Sequence, residues 1–495
     1  MGVVIKQSSI SALFTYIGAA IGFINTIVLF PIFLSTEQIG LIRVIPSTAF
    51  LITSFSQLGI ASTLQKFAPE LKKKPHGLTQ LITFCVLVVF IGFAITCTVF
   101  YFFDEPIKSY FSTNSPQLTE YFIVVIVLIL FLSLHALYEV YSRLFLKTIA
   151  QNIIKEVALR IMYSIGVSLY FLQVISFHQL TYGLILMYAI MLIMLLAYTY
   201  SLGELKFSLK LDLIDKPLIK RLATYSLFVM IGAGSANIVL NIDQVMISSE
   251  LGLSANGIYS TVFYFAVMIE LSRRVIVQIT TPLISDSLEN QNITTVEKIY
   301  KQTSINQMVV GGLLFIGLVC NLDNVFALMS NGEEFVQGKY VVYFIGFSKV
   351  MEMAFANSSP IISMSKYYKF NVVTIAILAI LMIALNLVLI PAFGISGAAF
   401  ASMLALFCFG LIKMIFIKKK FGFVPFTWKN GVLLLIGIVV LSIGISFPKL
   451  DSPLVDLAVR SIAVGVLYCG AVYVFKISKE INDGLIHLMN KISSR

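Results

Sequence analysis

Several basic residues lie inside stretches of the sequence that are otherwise apolar. The candidates for binding an anion among them are Arg43, Lys349, Arg143, Arg273 and Arg274. Arginine binds phosphate oxygens through two parallel N–H donors, and lysine binds them as a point charge. A charge within an apolar helix is costly, so it usually faces a bundle interior or an aqueous cavity. These residues are therefore candidates for facing a cavity and binding an anion there.

Acidic residues also lie within the apolar stretches, and they are the candidates for binding a coupling proton or cation. They are Glu139, Asp243, Glu270 and Glu352. For three of them a basic residue lies one helical turn away, a spacing that allows an ion pair along the helix. These pairs are Glu139 with Arg143, Glu270 with Arg274, and Glu352 with Lys349. Ion pairing is therefore an alternative to an ion-coupling role for all three acids.

Asp243 differs because no basic residue lies within one turn of it, while Asn237 and Asn241 are close in sequence. A carboxylate in this position is costly unless it is protonated, paired or bound to a cation. Asp243 is therefore the strongest candidate for a proton or cation site. A pairing with Arg43 is the structural alternative.

The elements that must position these residues are apolar stretches long enough to cross a lipid bilayer. A helix rises about 1.5 Å per residue and the hydrocarbon core is about 30 Å thick, so a crossing needs roughly 20 residues. About fourteen such stretches are predicted, over 10–34, 41–65, 79–103, 119–146, 150–174, 177–202, 220–247, 256–281, 300–322, 338–364, 370–391, 396–417, 429–447 and 453–476. Only 12% of residues are charged and the mean hydropathy is +0.94, which is typical of an all-α polytopic membrane protein.

The two halves of the sequence resemble each other. Segments 35–52 and 253–269 both place a short turn with a glycine, Gly40 or Gly257, before an apolar helix. Between the halves, residues 205–213 alternate apolar and polar, which favours an extended segment over a helix. We expect an N-terminal six-helix bundle over 1–203, a cytoplasmic linker over 204–219, a C-terminal six-helix bundle over 220–420, and a helix pair with a cytoplasmic tail over 421–495. With six helices each, the halves would be parallel repeats.

The distribution of basic residues predicts the orientation in the membrane. With the N-terminus in the cytoplasm, 29 of the 35 Lys and Arg fall on the cytoplasmic side or at the helix ends there. The exceptions are Arg43, Lys108, Lys339, Lys349, Lys449 and Arg460. This bias places both termini in the cytoplasm. It also explains the net charge of +11 by topology and contact with anionic lipids, which excludes a nucleic-acid surface.

The same distribution separates the basic candidates into two groups. Arg43 and Lys349 lie in helices and depart from the charge bias, which favours a role inside a cavity. Arg143, Arg273 and Arg274 lie toward cytoplasmic helix ends, where such side chains also mark the interface or extend to water. An interfacial role stays open for these three.

No cofactor or metal is expected. His135 and His178 are isolated, and the five cysteines form no C-x-x-C pair. The segment from Gly332 to Lys339 fails as a phosphate loop because five residues separate its glycines and Tyr340 follows the lysine. The breaks between the predicted helices are too short to build a catalytic domain, so we expect a protein that is not an enzyme.

Two motifs resemble those of the multidrug/oligosaccharidyl-lipid/polysaccharide exporter superfamily. Segment 386–399, NLVLIPAFGISGAA, is similar to its N-x-x-x-I-P-x-x-G-x-x-G-A-A signature, and segment 243–259, DQVMISSELGLSANGIY, to its D-x-x-x-I…G-x-x-x-x-G-x-Y pattern. The arrangement of twelve helices plus two resembles the polysaccharide-transport branch, the O-antigen-type flippases. The resemblance implies two six-helix bundles around a central cavity.

The resemblance also implies a function, which is translocation of undecaprenyl-diphosphate-linked oligosaccharide from the inner to the outer leaflet of the plasma membrane. A polysaccharide polymerase or a glycosyltransferase is then expected as a partner. A flippase for a lipid-linked peptidoglycan precursor and a cation-coupled drug exporter are the alternatives. A membrane glycosyltransferase or polymerase is disfavoured, because no large outside loop and no D-x-D-type site is present.

The orientation is tested by labelling single cysteines in a cysteine-free background with a membrane-impermeant reagent. We expect Thr113→Cys and Asn331→Cys to label in intact cells. Lys73→Cys and Lys419→Cys should label only after permeabilisation. Labelling of position 73 from outside would contradict the orientation.

Overall fold

The protein is described by a computed structural model that covers residues 2–145, 149–203, 206–208 and 210–483, with side chains from residue 13 onward. These residues are almost entirely helical, and no β-strand occurs among them. The chain forms two compact units, Met1–Ser260 and Thr261–Arg495. Parts of the predicted linker (204, 205 and 209) and of the predicted tail (484–495) lie outside the described residues. The all-helical class is confirmed.

The first unit contains twelve α-helices in the described residues, followed by the start of a thirteenth. They are α1 Gly2–Phe23, α2 Phe30–Phe33, α3 Thr36–Ser56, α4 Ile60–Leu71, α5 Gly77–Phe102, α6 Asp104–Ser112, α7 Pro116–Glu120, α8 Phe122–Arg143, α9 Ile149–Asn152, α10 Leu159–Phe171, α11 Phe177–Ser201 and α12 Lys216–Leu251, with α13 Leu253–Glu289 running into the second unit. Helix α3 packs against α8 and α12.

The second unit contains seven further α-helices in its described part. They are α14 Ile293–Leu328, α15 Gly332–Phe335, α16 Lys339–Ala354, α17 Ser358–Met364, α18 Tyr368–Phe421, α19 Trp428–Ser446 and α20 Pro453–Val474. Helix α14 packs against α16, α19 and α20, and α18 packs against α16 and α17.

Every predicted crossing corresponds to helix in the structure. Ten helices of the described residues are long and apolar enough to cross a membrane, and one of them, α18, covers two predicted crossings. The other three crossings, predicted over 150–174, 256–281 and 338–364, are interrupted or carry charges. The first contains a π-helix at Ile153–Ala158, the second is α13 with its three central charges, and the third is broken between α16 and α17. The exceptions are therefore helices that carry candidate residues or irregular backbone.

The chain breaks between the crossings predicted over 370–391 and 396–417, although it is helical on either side of the break. Gly394 has φ 60° and ψ −142°, a conformation that glycine adopts without strain. A Cβ on Gly397 would lie 1.9 Å from the carbonyl oxygen of Leu389, so only glycine fits this close approach. Ala398 and Ala399 are fully buried after it. The motif thus builds a sharp reversal between two membrane crossings.

The two glycines of the repeated segments contact each other's backbone. A Cβ on Gly40 would lie 1.8 Å from the carbonyl oxygen of Leu253, and a Cβ on Gly257 would lie 1.9 Å from that of Thr36. The amide of Asn256 donates to the carbonyl of Gly40 at 3.1 Å. The contact is reciprocal, because each segment offers a carbonyl to the glycine of the other. It gives the sequence similarity between 35–52 and 253–269 a physical basis in close helix packing.

The division of the chain at 204–219 stays a prediction. In its described part this connection is not helical at residues 206–208. The side chain of Gln80 accepts a hydrogen bond from the backbone N–H of Leu213 at 2.9 Å, and that of Thr83 accepts one from Ser208 at 3.1 Å. Asp215 caps α12 by accepting from the N–H of Leu218. The connection is therefore held against α5 before α12 begins.

The reciprocal glycine contact predicts the effect of a single methyl group. Gly40→Ala and Gly257→Ala should each destabilise the protein by about 1–3 kcal/mol, because the added Cβ meets backbone that cannot rotate away. Thermal unfolding of the detergent-solubilised protein measures the effect. The control is Gly183→Ala, which places its Cβ in open space on α11. Equal melting temperatures for all three variants would contradict the packing.

Candidate functional site

A buried cluster of charges lies in the second unit, where α13 meets α16. The ammonium of Lys349 lies 2.9 Å from a carboxylate oxygen of Glu270 and 2.8 Å from one of Glu352. Arg273 contacts the other oxygen of Glu270 at 3.1 Å. We call these four residues the Lys349 cluster. Their side chains are between 12% and 22% exposed, so little solvent screens the charges.

Helical spacing and apolar neighbours explain how this cluster forms. Each helix contributes a pair three residues apart, so the two charges of a pair share one face. Ile269, Val350 and Met353, adjacent in sequence to the charged residues, form a buried apolar cluster. Because these neighbours pack together, they hold the two helices at a distance that lets Lys349 reach both carboxylates.

One of the pairs predicted from the sequence is wrong. Glu270 pairs with Arg273, three residues away, and not with Arg274. Arg274 is exposed, because the next residue along a helix points about 100° away from its predecessor. The pair of Lys349 with Glu352 is present as the spacing predicts. The second partner of Lys349, Glu270, comes from another helix, and spacing along one helix cannot reveal it.

Lys413 is a buried cation that the sequence analysis assigned to the cytoplasmic side. Its residue is only 1% exposed, and its ammonium donates to the hydroxyl of Ser359 at 2.7 Å and lies 3.7 Å from the centre of the Phe409 ring. It interacts electrostatically with Arg273 and Glu352. The sequence did offer a sign of this burial, because Lys413 lies within the predicted crossing 396–417, five residues before the lysine run that ends α18.

Irregular backbone lies beside these charges. Between α16 and α17, Ala356 has φ 44°, which is costly for a residue with a Cβ. The carbonyl of Ala354, at the end of α16, accepts a hydrogen bond from Ser304 at 2.6 Å, and the amide of Asn357 donates to Thr303 at 3.1 Å. Side chains of α14 thus satisfy backbone and polar groups at the break. This agrees with the rule that broken helices at membrane depth are buried in protein.

A second cluster lies in the first unit around Glu139 of α8. Arg143 donates to Glu139 on the same helix, as the spacing predicts, and Lys155 lies 3.4 Å from its other oxygen. His135 lies 3.8 Å from the same carboxylate. The side chains of Arg143 and Lys155 are 45% and 47% exposed, whereas that of Glu139 is 12% exposed. The carboxylate is therefore buried under two cations that reach toward solvent.

Arg43 contacts a short π-helix in the first unit. A π-helix, Ile24–Leu29, follows α1, and such turns occur frequently at functional sites. One of its residues, Thr26, accepts a hydrogen bond from the Arg43 guanidinium at 2.6 Å. The guanidinium also lies 5.2 Å from the centre of the Phe30 ring. These contacts orient the arginine within the helical bundle.

Asp243 is buried in α12 with 8% of its surface exposed. Its carboxylate accepts a hydrogen bond from the hydroxyl of Tyr259 at 2.8 Å. The amide of Asn237 donates to Ser54 at 2.6 Å and to the carbonyl of Phe50 at 3.0 Å, which ties α12 to α3. Asn237 thus has a structural role in helix packing. The hydrogen bond from Tyr259 satisfies one oxygen of this buried carboxylate.

The sequence matches the model of one protein family. The family model described as "Polysaccharide biosynthesis protein" matches residues 4–288, more than half of the chain. No curated protein matches the sequence.

Three solved structures share the fold. The lipid II flippase MurJ, in an inward closed conformation, is 14% identical with a TM-score of 0.75, over 94% of this chain and 98% of that chain. An inward-facing multidrug resistance MATE family transporter is 9% identical with a TM-score of 0.62, and a mutant of the Vibrio cholerae MATE transporter VcmN is 12% identical with a TM-score of 0.58. Each covers 85% of this chain and 98% of its own. These likenesses confirm the expected helical fold, and the chain belongs to the polysaccharide biosynthesis protein family as a multi-pass membrane protein with the helical fold of MurJ and MATE transporters.

Proposed function

We propose that the protein is a flippase that translocates undecaprenyl-diphosphate-linked oligosaccharide from the cytoplasmic to the outer leaflet of the plasma membrane. The observation that carries the proposal is the Lys349 cluster, which holds cations within a membrane-spanning bundle. The family supports a role in polysaccharide biosynthesis, and MurJ, which shares the fold, acts on a lipid-linked molecule. Both termini would face the cytoplasm, and a polysaccharide polymerase or glycosyltransferase would be the partner.

The cluster supports a mechanism of partner exchange. Lys349 and Arg273 already have carboxylate partners, so a diphosphate must replace Glu270 or Glu352 to bind them. Removing one partner of a buried pair without replacement costs about 3–5 kcal/mol, whereas exchanging one anion for another leaves the cation compensated. The displaced carboxylate must then bind a proton or a cation. Substrate binding and ion coupling would thus meet in one group of residues.

The other candidates take supporting roles in this proposal. Arg43 binds phosphate oxygens through its guanidinium group, which the hydrogen bond to Thr26 orients. Arg143 and Arg274, which reach toward solvent, attract the anionic head group before it enters. Asp243 and Glu139 are further ion-coupling groups in the first unit.

The structural likeness to MurJ favours one alternative, a flippase for a lipid-linked peptidoglycan precursor. Both substrates would present a diphosphate to the same residues, so the charges do not separate them. Deletion of the gene separates them, because loss of a surface polysaccharide with normal cell-wall synthesis supports the first substrate. Loss of cell-wall synthesis would support the second. A cation-coupled drug exporter predicts neither defect.

Replacement of Lys349 tests the head-group site. Lys349→Ala should reduce export at least tenfold, but it also leaves two carboxylates without their shared cation. Lys349→Ala combined with Glu352→Gln removes equal and opposite charges, so protein level should recover while export stays low. Export is measured as surface glycan in a deletion strain, and Lys449→Ala, an exposed lysine, is the matched control. Full export by the double variant would contradict the site.

Replacement of Arg43 tests the bidentate contact in the first unit. Arg43→Ala should strongly reduce export while the protein still inserts, because the phosphate loses the two parallel hydrogen-bond donors of the guanidinium. Arg43→Lys should recover part of the activity, since the charge is kept but the two parallel donors are lost. Equal export by the alanine and lysine variants would contradict a role for the guanidinium geometry.

Asp243→Asn tests coupling. The variant should fold, since asparagine still accepts the hydrogen bond of Tyr259, yet lose its response to a proton or sodium gradient imposed across vesicles. Tyr259→Phe is the control, because it removes the hydrogen bond and keeps the titratable carboxylate. If Asp243 only neutralises Arg43, combining Asp243→Asn with Arg43→Gln should restore protein level and some transport. A full gradient response in Asp243→Asn would reject coupling.

A further inference from the structure

A basic pocket of about 810 Å³ lies at one end of the second unit. It is formed where α13 ends, where α14 begins, and where the α17–α18 connection meets the end of α18. Its lining includes two lysines, one acid, one tyrosine and two apolar side chains: Lys366, Lys420, Glu289, Tyr367, Met364 and Phe421. The residues come from separated parts of the chain, so the fold and not a local run of sequence creates the pocket.

The two lysines converge on one aromatic ring. The ammonium of Lys366 lies 5.4 Å from the centre of the Tyr367 ring, and that of Lys420 lies 5.5 Å from it. Phe416 and Phe421 pack edge-on against the same ring at 5.5 and 6.0 Å, which fixes its position. The ring of Tyr367 therefore positions both ammonium groups at the pocket. Two cations in one pocket favour an anionic ligand.

The position of the pocket and its mixed lining indicate what that anion is. In the orientation proposed above, the pocket lies just beyond the cytoplasmic ends of the crossings predicted over 300–322 and 396–417, on the side of the inner-leaflet head groups. Apolar side chains line it beside the cations, which suits a ligand with a phosphate and a hydrophobic part. The exposed Lys369, Lys418 and Lys419 add positive potential around it. Basic pockets between helices on the cytoplasmic side bind anionic lipid head groups.

We propose that this pocket binds the head group of an anionic phospholipid of the cytoplasmic leaflet. Lys366 and Lys420 pair with the phosphate, and Met364 and Phe421 contact the glycerol and the first carbons of the acyl chains. Glu289, which is exposed at the pocket, opposes the anion and limits its affinity. The inference uses the orientation proposed above and is independent of transport, because it concerns a lipid that stays bound and is not carried.

The test is native mass spectrometry of the purified full-length protein titrated with phosphatidylglycerol. Lys366→Gln combined with Lys420→Gln should weaken binding of the phosphatidylglycerol molecule with the highest affinity at least tenfold. The matched control is Lys418→Gln combined with Lys419→Gln, which removes the same charge from exposed positions outside the lining and should change affinity less than twofold. Glu289→Gln should tighten binding. The substituted positions are all exposed, so the variants should keep the wild-type melting temperature in detergent.

Four results would overturn the proposal. Equal weakening by both lysine pairs would mean general attraction to a basic surface, and no weakening by either would mean no site. Phosphatidylethanolamine binding as tightly as phosphatidylglycerol would remove the preference for a net anion. Inorganic phosphate displacing the lipid at equal concentration would identify a site for free phosphate. None of these measurements requires translocation, so they leave the flippase proposal to its own tests.

Discussion

The cost of an unpaired charge in a membrane-spanning bundle is the constraint on which the second unit depends. Lys349 meets it by contacting carboxylates on two helices at once, with Arg273 completing the compensation of Glu270. Such a cluster stabilises the packing of α13 on α16 only while its charges stay balanced. A ligand that displaces a carboxylate from the cluster must therefore carry a negative charge of its own.

Close backbone contacts at glycines constrain the packing within each unit. Gly40 and Gly257 bring two helix starts together so closely that a methyl group does not fit, and Gly397 does the same within α18. In contrast, irregular backbone lies beside some of the candidate side chains: Arg43 contacts Thr26 of a π-helix, and a break follows the helix that carries Lys349. The break beside the Lys349 cluster holds Ala356 at a positive φ, which costs of order 1 kcal/mol or more.

Much of the fold could be predicted from the sequence because bilayer thickness fixes the length of each apolar stretch. The reversal at Gly394 lies in the gap between two predicted crossings. In contrast, Gly40 and Gly257 were expected in turns before helices, and the structure places both inside α3 and α13, where they pack against backbone. The wrong partner of Glu270 shows the limit, since spacings of three and four residues both allow an ion pair and tertiary packing selects one. The burial of Lys413 was missed because it depends on Ser359 and Phe409, and only the folded structure brings Ser359 from another helix to it.

Competition between phosphate and carboxylate for Lys349 is the central claim. It is tested most directly by the affinity of the purified protein for a soluble diphosphate-linked oligosaccharide, compared between the wild type and Glu352→Gln. If Glu352 must be displaced, removing its charge should tighten binding by about tenfold, the equivalent of about 1.4 kcal/mol. Unchanged or weaker binding in Glu352→Gln would contradict partner exchange.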